Sequence, residues 1–130
     1  METIFTKIIK GEISSYKIAE NDDYYAFLDI NPLAEGHTLV VPKKAVDYVF
    51  DMEEQALGNM MIFAQKIAVA IKKTVPCKRV GVAIIGLEVP HAHIHLVPIN
   101  EVHDLNFKRE KLKLSSERFA EIAEKIAAEV

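Results

Sequence analysis

Three of the five histidines in this 130-residue chain stand at alternate positions, His91-Ala92-His93-Ile94-His95. In an extended segment alternate side chains share a face, so the three imidazoles point one way while Ala92 and Ile94 point into the core. Three adjacent imidazoles on an apolar strand are costly to bury without partners, which marks them as a site rather than chance packing. Two chemistries fit. Imidazoles sharing a face suit zinc, although no Cys-x-x-Cys pair or acidic ligand lies nearby at the usual spacing. Alternatively, a neutral imidazole held at Nδ1 presents its Nε2 lone pair as a nucleophile, with its neighbours donating to phosphate oxygens or to a leaving group. A fourth histidine, His37, is either a site residue or a satisfied strand-end histidine; His103 fits no pattern.

The elements that must carry these residues are legible in the punctuation. Thr3 to Lys10 spaces Ile4, Phe5, Ile8 and Ile9 for a short helix that Gly11 stops. Tyr16–Glu20 and Tyr24–Ile30 read as a hairpin around Asn21-Asp22-Asp23, and Asn31-Pro32 breaks the second strand. After Gly36, the run His37–Val41 reads as a strand ended by Pro42. Asp51 with Glu54 resembles a capping box opening the longest helix, to about Thr74, with Leu57, Met60, Met61, Ala64, Ile67, Ala68 and Ile71 on its packing face. Val80–Ile85 and His91–Val97 read as strands. Ser115 or Ser116 caps a last helix with Phe119, Ile122, Ala123, Ile126 and Ala127 on one face. Five antiparallel strands plus helices make an α+β domain.

Composition excludes several classes. Sixteen basic and nineteen acidic side chains give a net charge of −3, which argues against non-specific nucleic-acid binding. No apolar run is long enough for a signal peptide or a membrane span, so a cytoplasmic protein without a membrane partner is expected. The single cysteine, Cys77, reads as a reduced bystander thiol. There is no repeat or linker, and one domain over 1–130 is expected.

The segment His91–Val97 resembles the signature of the histidine triad family: alternating histidine and apolar residues, then two apolar residues. Thr3–Ile9, Ala26–Pro32 and Gly36–Lys44 resemble the family's first helix and its second and third strands. The resemblance covers residues 3 to about 100 and is nearest the Hint group of purine nucleoside phosphoramidases, leaving 101–130 as an extension with a helix. It implies a five-stranded antiparallel sheet with a short N-terminal, a long central and a C-terminal helix. It also implies His93 as nucleophile through a nucleotidyl-histidine, oriented by the backbone carbonyl of His91. His95 and His37 would contact phosphate oxygens or the leaving group, and Asp29 the ribose hydroxyls, a role for which a carboxylate accepts several donors. Phe5, Ile8, Phe27 and Ile30 would line the base pocket. Taken alone those four read as core, and Asp29 as a turn-capping residue. The implied ligand is a small purine nucleotide, with no cofactor and no metal (zinc being the exception to watch for). The implied assembly is a homodimer formed by the long helix and a sheet edge, with the C-terminal helix expected to dock on the partner subunit or its site.

The chain departs from the family beside the triad. A glutamine and a small hydroxylic residue usually follow the loop glycine, but here Leu87 and Glu88 follow Gly86, and an upstream asparagine is lost within Val82-Ala83-Ile84-Ile85. One or two phosphate or leaving-group contacts are therefore missing. Glu88 is expected to face the leaving group and attract a cationic amine. The expected function is hydrolysis or transfer at the α-phosphate of a nucleoside monophosphate derivative such as an AMP phosphoramidate. The alternatives are a dinucleoside polyphosphate hydrolase, a nucleotide-binding protein with little turnover, and a zinc-binding protein.

Overall fold

The computed structural model describes all 130 residues. The elements run α1 (Ile4–Ile9), β1 (Lys17–Glu20), β2 (Tyr24–Leu28), β3 (Thr38–Pro42), α2 (Glu54–Thr74), β4 (Arg79–Ala83), β5 (Ile94–Ile99) and α3 (Ser116–Ala127). Single turns of 3-10 helix cover Val49–Asp51 and Val102–Leu105. The strands form one sheet in the order β1-β2-β3-β5-β4, antiparallel throughout. This is the α+β architecture expected, and no helix is long and apolar enough to cross a membrane.

Strand alternation divides the molecule into two faces. Ala26, Leu28, Val40, Ile94 and Leu96 point into the main core against α2 and α3, where Met60, Phe63, Ile67, Ile71, Phe119, Ile122 and Ile126 meet them. The other parity, Tyr25, Phe27, Leu39 and Val41, packs under Phe5 and Ile8 of α1. The histidines belong to this second, thinner layer.

Several boundaries differ from the sequence reading. β5 begins at Ile94, so His91 and His93 lie on an extended lead-in rather than on the strand. The β3–β5 ladder ends at Val40↔Ile94, and β3 runs out at Pro42, which has no N–H to extend it. Ala92 N–H instead bonds Val46 O at 2.6 Å. β2 stops at Leu28, leaving Ile30 64 % exposed, and β4 stops at Ala83, leaving Ile84 and Ile85 outside the strand.

The capping box proposed at Asp51 is absent. Asp51 closes the 3-10 turn through its N–H to Tyr48 O, and Glu53 precedes α2 without a side-chain cap. Met61 faces outward, while Phe63 and Ala70 complete the buried face of α2. The working capping box is at α1, where Thr3 Oγ1 accepts Thr6 N–H and Thr6 Oγ1 accepts Thr3 N–H.

The C-terminal helix packs on the core of its own chain. Its apolar stripe is continuous with α2, β1 and β2. Arg118 forks onto Glu35 at 2.7 and 2.8 Å, joining α3 to the loop before His37. That half-exposed pair is worth at most about 1 kcal/mol, so the apolar stripe holds the helix. Ile126, fully buried, measures this directly. Ile126→Ala is expected to lower stability by about 2–5 kcal/mol in urea denaturation, and a loss below about 1 kcal/mol would make α3 a peripheral appendage.

Candidate active site

The site is built where β2, β3 and β5 lie side by side. Asp29 follows β2, His37 precedes β3, His95 lies on β5, and His91 and His93 lead into it. All five share the parity of the α1-covered face. Gly36 turns the chain into His37 at φ +94°, a conformation that favours glycine. A Cβ there would meet Val75 Cγ2 at 2.9 Å, so no larger residue fits without displacing that side chain. His37 and His91 are inaccessible, while His93 and His95 keep 7 % and 9 % exposure; only the latter two offer an edge to a ligand.

Proton positions follow from partners that can only donate or only accept. His91 Nε2 lies 2.7 Å from Pro42 O, so Nε2 carries hydrogen and Nδ1 accepts from Thr3 Oγ1 at 2.7 Å. His93 Nδ1 donates to His91 O at 2.8 Å, which leaves Nε2 with its lone pair. Leu33 N–H donates to His37 Nδ1 at 3.0 Å, so His37 Nε2 is the protonated nitrogen. It donates to His95 Nδ1 at 3.0 Å and lies 3.5 Å from Asp29 Oδ2. His95 must then carry its hydrogen on Nε2. The His93 and His95 rings meet edge to face with centroids 4.9 Å apart, so the ring with a free lone pair packs against the ring with a free N–H. That is the equipment for attack on a phosphorus centre whose oxygens are held by a neighbour.

Burial disfavours the charged form of His37, His91 and His95. Burial, then charge on the neighbouring His95 and Lys111, pushes His37 down to about 3; burial, then His93, pushes His95 down to about 4. Burial also lowers His91, against the opposing pull of the Pro42 carbonyl. Asp29 moves the other way. Burial raises it, partly offset by Asn31 N–H on Oδ1 at 2.8 Å and by His93 and Lys111, while Glu88 adds to the rise. Asp29 therefore does cap the Asn31 turn, and it also faces His37.

Asp29, His37 and His95 offer ligand atoms within 4.8 Å of one another. Their hydrogen-bond pattern suits protons better than a metal. A cation on His37 Nε2 would have to strip its proton while Nδ1 still accepts from Leu33, leaving an imidazolate. Both nitrogens of His91 are likewise committed, to Pro42 O and Thr3 Oγ1.

Phe5 sits edge-on to His93 at 5.1 Å and to His91 at 5.6 Å, and to Phe27 at 5.6 Å, with Ile8 in the same cluster. Ile30 is not in that cluster, and its exposed side chain stands at the surface beside Asp29. Glu88 is exposed on the loop before His91, close enough for its charge to act on Asp29. Three neighbours escaped the sequence reading. Thr3 bonds His91; its only sequence signal was a hydroxyl three residues before another at a helix start. Phe107 packs against His95 at 4.7 Å and His37 at 6.0 Å. Lys111, held by the carbonyls of Phe107 and Arg109, acts on Asp29 and His37. Phe107 and Lys111 lie in an aperiodic stretch fastened by Leu112 N–H to Pro32 O at 2.9 Å, and nothing local announces it.

A five-stranded antiparallel sheet whose central strands present an imidazole cluster under a short helix defines a recognisable class. The HIT domain model matches residues 10–102, and the chain belongs to the HIT family. It is 43 % identical over 96 residues to the adenosine 5'-monophosphoramidase of Saccharomyces cerevisiae, covering 73 % of this chain and 61 % of that one. It is 30 % identical over 132 residues to the adenosine 5'-monophosphoramidase of Schizosaccharomyces pombe, covering 100 % and 99 %. Among solved structures, a Hit-like protein of Bartonella henselae involved in cell-cycle regulation superposes with a TM-score of 0.85 at 35 % identity, over 99 % of this chain and 97 % of that one.

Depressed histidines make stability depend on pH with a defined sign. A histidine held below its ordinary 6.5 in the fold binds fewer protons folded than unfolded. Its contribution is complete above 6.5 and is lost as pH falls through the window down to about 3 for His37 and about 4 for His95. Between pH 8 and 5 each ring is expected to cost about 2 kcal/mol of unfolding free energy. Urea titrations across that range should show the loss, and His37→Gln should remove about 2 kcal/mol of it; a flat profile would mean these rings are not held neutral.

Proposed function

We propose that this chain is a nucleotide hydrolase acting at the α-phosphate of a nucleoside monophosphate derivative of the AMP phosphoramidate type. The observation that carries the reading is the free Nε2 lone pair of His93, fixed by the His91 carbonyl, on a ring packed against that of His95. The two yeast relatives named as adenosine 5'-monophosphoramidases support the substrate class.

In this mechanism His93 Nε2 bonds phosphorus as the phosphorus–nitrogen bond breaks, and the departing amine takes a proton from solvent. His93 then carries a nucleotidyl group and a positive charge, which its Nδ1–H shares with the His91 carbonyl. His95 Nε2–H donates to a phosphate oxygen, with His37 holding its tautomer. Water next attacks phosphorus, AMP leaves, and a proton returns to solvent. Asp29 accepts from the ribose hydroxyls, and Phe5, Ile8, Phe27 and Ile30 flank a purine. The chain acts as a homodimer through the unpaired edge of β4 and the outward face of α2, where Val82, Ile85, Ile62 and Val69 are each about half exposed.

Incubation with an AMP phosphoramidate should release AMP and, on rapid acid quench, yield a protein-bound nucleotide on His93. His93→Ala should reduce turnover by at least three powers of ten while nucleotide still binds. Wild-type turnover in that variant, or a nucleotide trapped on His95, would refute the assignment. At the rim, Glu88 is proposed to favour amines that carry a nearby positive charge. The preference in kcat/KM for a lysine-type over a neutral-amine AMP phosphoramidate should shrink in Glu88→Gln and at high salt. Equal selectivity in both proteins would return Glu88 to solvent.

A further inference from the structure

Helix α1 spans only six residues, far too few to be stable alone, yet its first turn reaches the reacting segment. Thr3 Oγ1 accepts Thr6 N–H at 3.1 Å and lies 3.2 Å from Thr6 Oγ1, which in turn accepts Thr3 N–H at 3.2 Å. Thr3 Oγ1 also lies 2.7 Å from His91 Nδ1. The polarity is set at the His91 end, which makes Thr3 the donor to His91 and Thr6 Oγ1 the donor to Thr3. His91 Nε2–H is committed to Pro42 O, so Nδ1 has only a lone pair to offer. Thr3 is buried, so water cannot substitute for it.

We propose that Thr3 is a positioning residue for nucleotidyl transfer: its hydroxyl pins the neutral His91 ring between α1 and the end of β3, and thereby the His91 carbonyl that fixes the His93 tautomer. This rests on the reading of His93 as nucleophile. The ring and the carbonyl belong to one residue. The adjoining peptide is held at Ala92 N–H by Val46 O. Removing Thr3 leaves the ring held by Pro42 O alone and its buried Nδ1 unpaired, so that the ring is less firmly set and can acquire a second proton. Phe5, two residues along the same helix, touches both His91 and His93, so movement of α1 is felt at both rings.

Thr3 also caps α1, and substitution separates the two roles. Capping needs an oxygen that accepts from Thr6 N–H, whereas the contact to His91 needs a donor. Aspartate supplies the first and not the second; serine supplies both; valine supplies neither. Thr3→Ser, Thr3→Asp and Thr3→Val are to be compared in kcat and KM on an AMP phosphoramidate, in thermal stability, and by nitrogen-resolved NMR of the histidine ring protons. Thr3→Asp and Thr3→Val should lose about 10- to 100-fold in kcat with KM little changed. Thr3→Ser should recover most of that loss, and in the Asp and Val variants the His93 Nδ1–H should exchange faster with solvent. If turnover instead follows capping, with Thr3→Asp equal to wild type and only Thr3→Val impaired, Thr3 is a helix cap and the proposal falls. If wild type itself releases no AMP, the functional reading fails, and exchange at His93 Nδ1–H decides the point alone. Faster exchange in the Asp and Val variants sustains the positioning role, and unchanged exchange overturns it.

Discussion

The hydrogen bond from His93 Nδ1 to the carbonyl of His91 is the contact on which the rest of the site depends. A neutral imidazole has one N–H and one lone pair, and whichever nitrogen is tied up by an acceptor decides which edge is nucleophilic. A carbonyl is a suitable anchor because it cannot donate, and so cannot stabilise the wrong tautomer. It must, however, be held at the right angle two residues away on the same strand-like segment. Ala92 N–H, on the same peptide, is fixed by Val46 O, and the His91 ring is fixed by Pro42 O. Both acceptors come from the end of β3 and the chain just beyond it, where Pro42 breaks the ladder. Were β3–β5 pairing to run past Val40↔Ile94, these groups would be spent on strand hydrogen bonds and the tautomer would lose its support.

The sheet's role is to sort side chains by parity. On β2, β3 and β5 the even positions feed the thick core under α2 and α3, and the odd positions supply the thin layer under α1. This asymmetry suits a site. The thick layer supplies the burial that fixes the backbone, and a cover of one short helix leaves the exposed edges of His93 and His95 accessible. Phe107 packs edge to face on His95 as Phe5 does on His93, so the two rings are bracketed by residues from opposite ends of the chain.

Much of this was legible in the sequence because period-two alternation is a local property. His91-Ala92-His93-Ile94-His95 gave the shared face, and Asp29 and His37 fell on the correct parity through strands bounded by Asn31-Pro32, Gly36 and Pro42. What failed to show depends on pairing across distance. The strand reading of His91 to His93 was wrong because the ladder's end is set by Pro42, forty-nine residues from His91 in the chain. The helix start at Asp51 had acceptable capping residues, but a 3-10 turn used them first, while the true box used threonine in place of the glutamate or glutamine that marks the pattern. Met61 sits one position from Met60, and hydrophobicity alone cannot say which methionine a helix buries. Phe107 and Lys111 reach the histidines from an aperiodic stretch held by a single backbone bond to Pro32, and that has no sequence signature.

The charge state of the pocket ties these features to one another. Burial opposes protonation of His37, His91 and His95, and charge on a neighbouring ring opposes it further. On the proposed reading a phosphate would meet the one uncommitted N–H of the four rings, that of His95, rather than a fixed cation. Neutral donors hold an anion less tightly than an arginine fork does, but they leave an unprotonated nitrogen beside phosphorus, and an imidazolium in the same place would bind phosphate without attacking it. Fixed charge is kept to the periphery, where Asp29 is flanked by Lys111 on one hand and Glu88 on the other. Lys111 is tethered by the carbonyls of Phe107 and Arg109, which holds its ammonium at the rim. On the proposed reading the interior would recognise the reacting phosphate through donor geometry, and the charges at the rim could vary with the leaving group without disturbing His93.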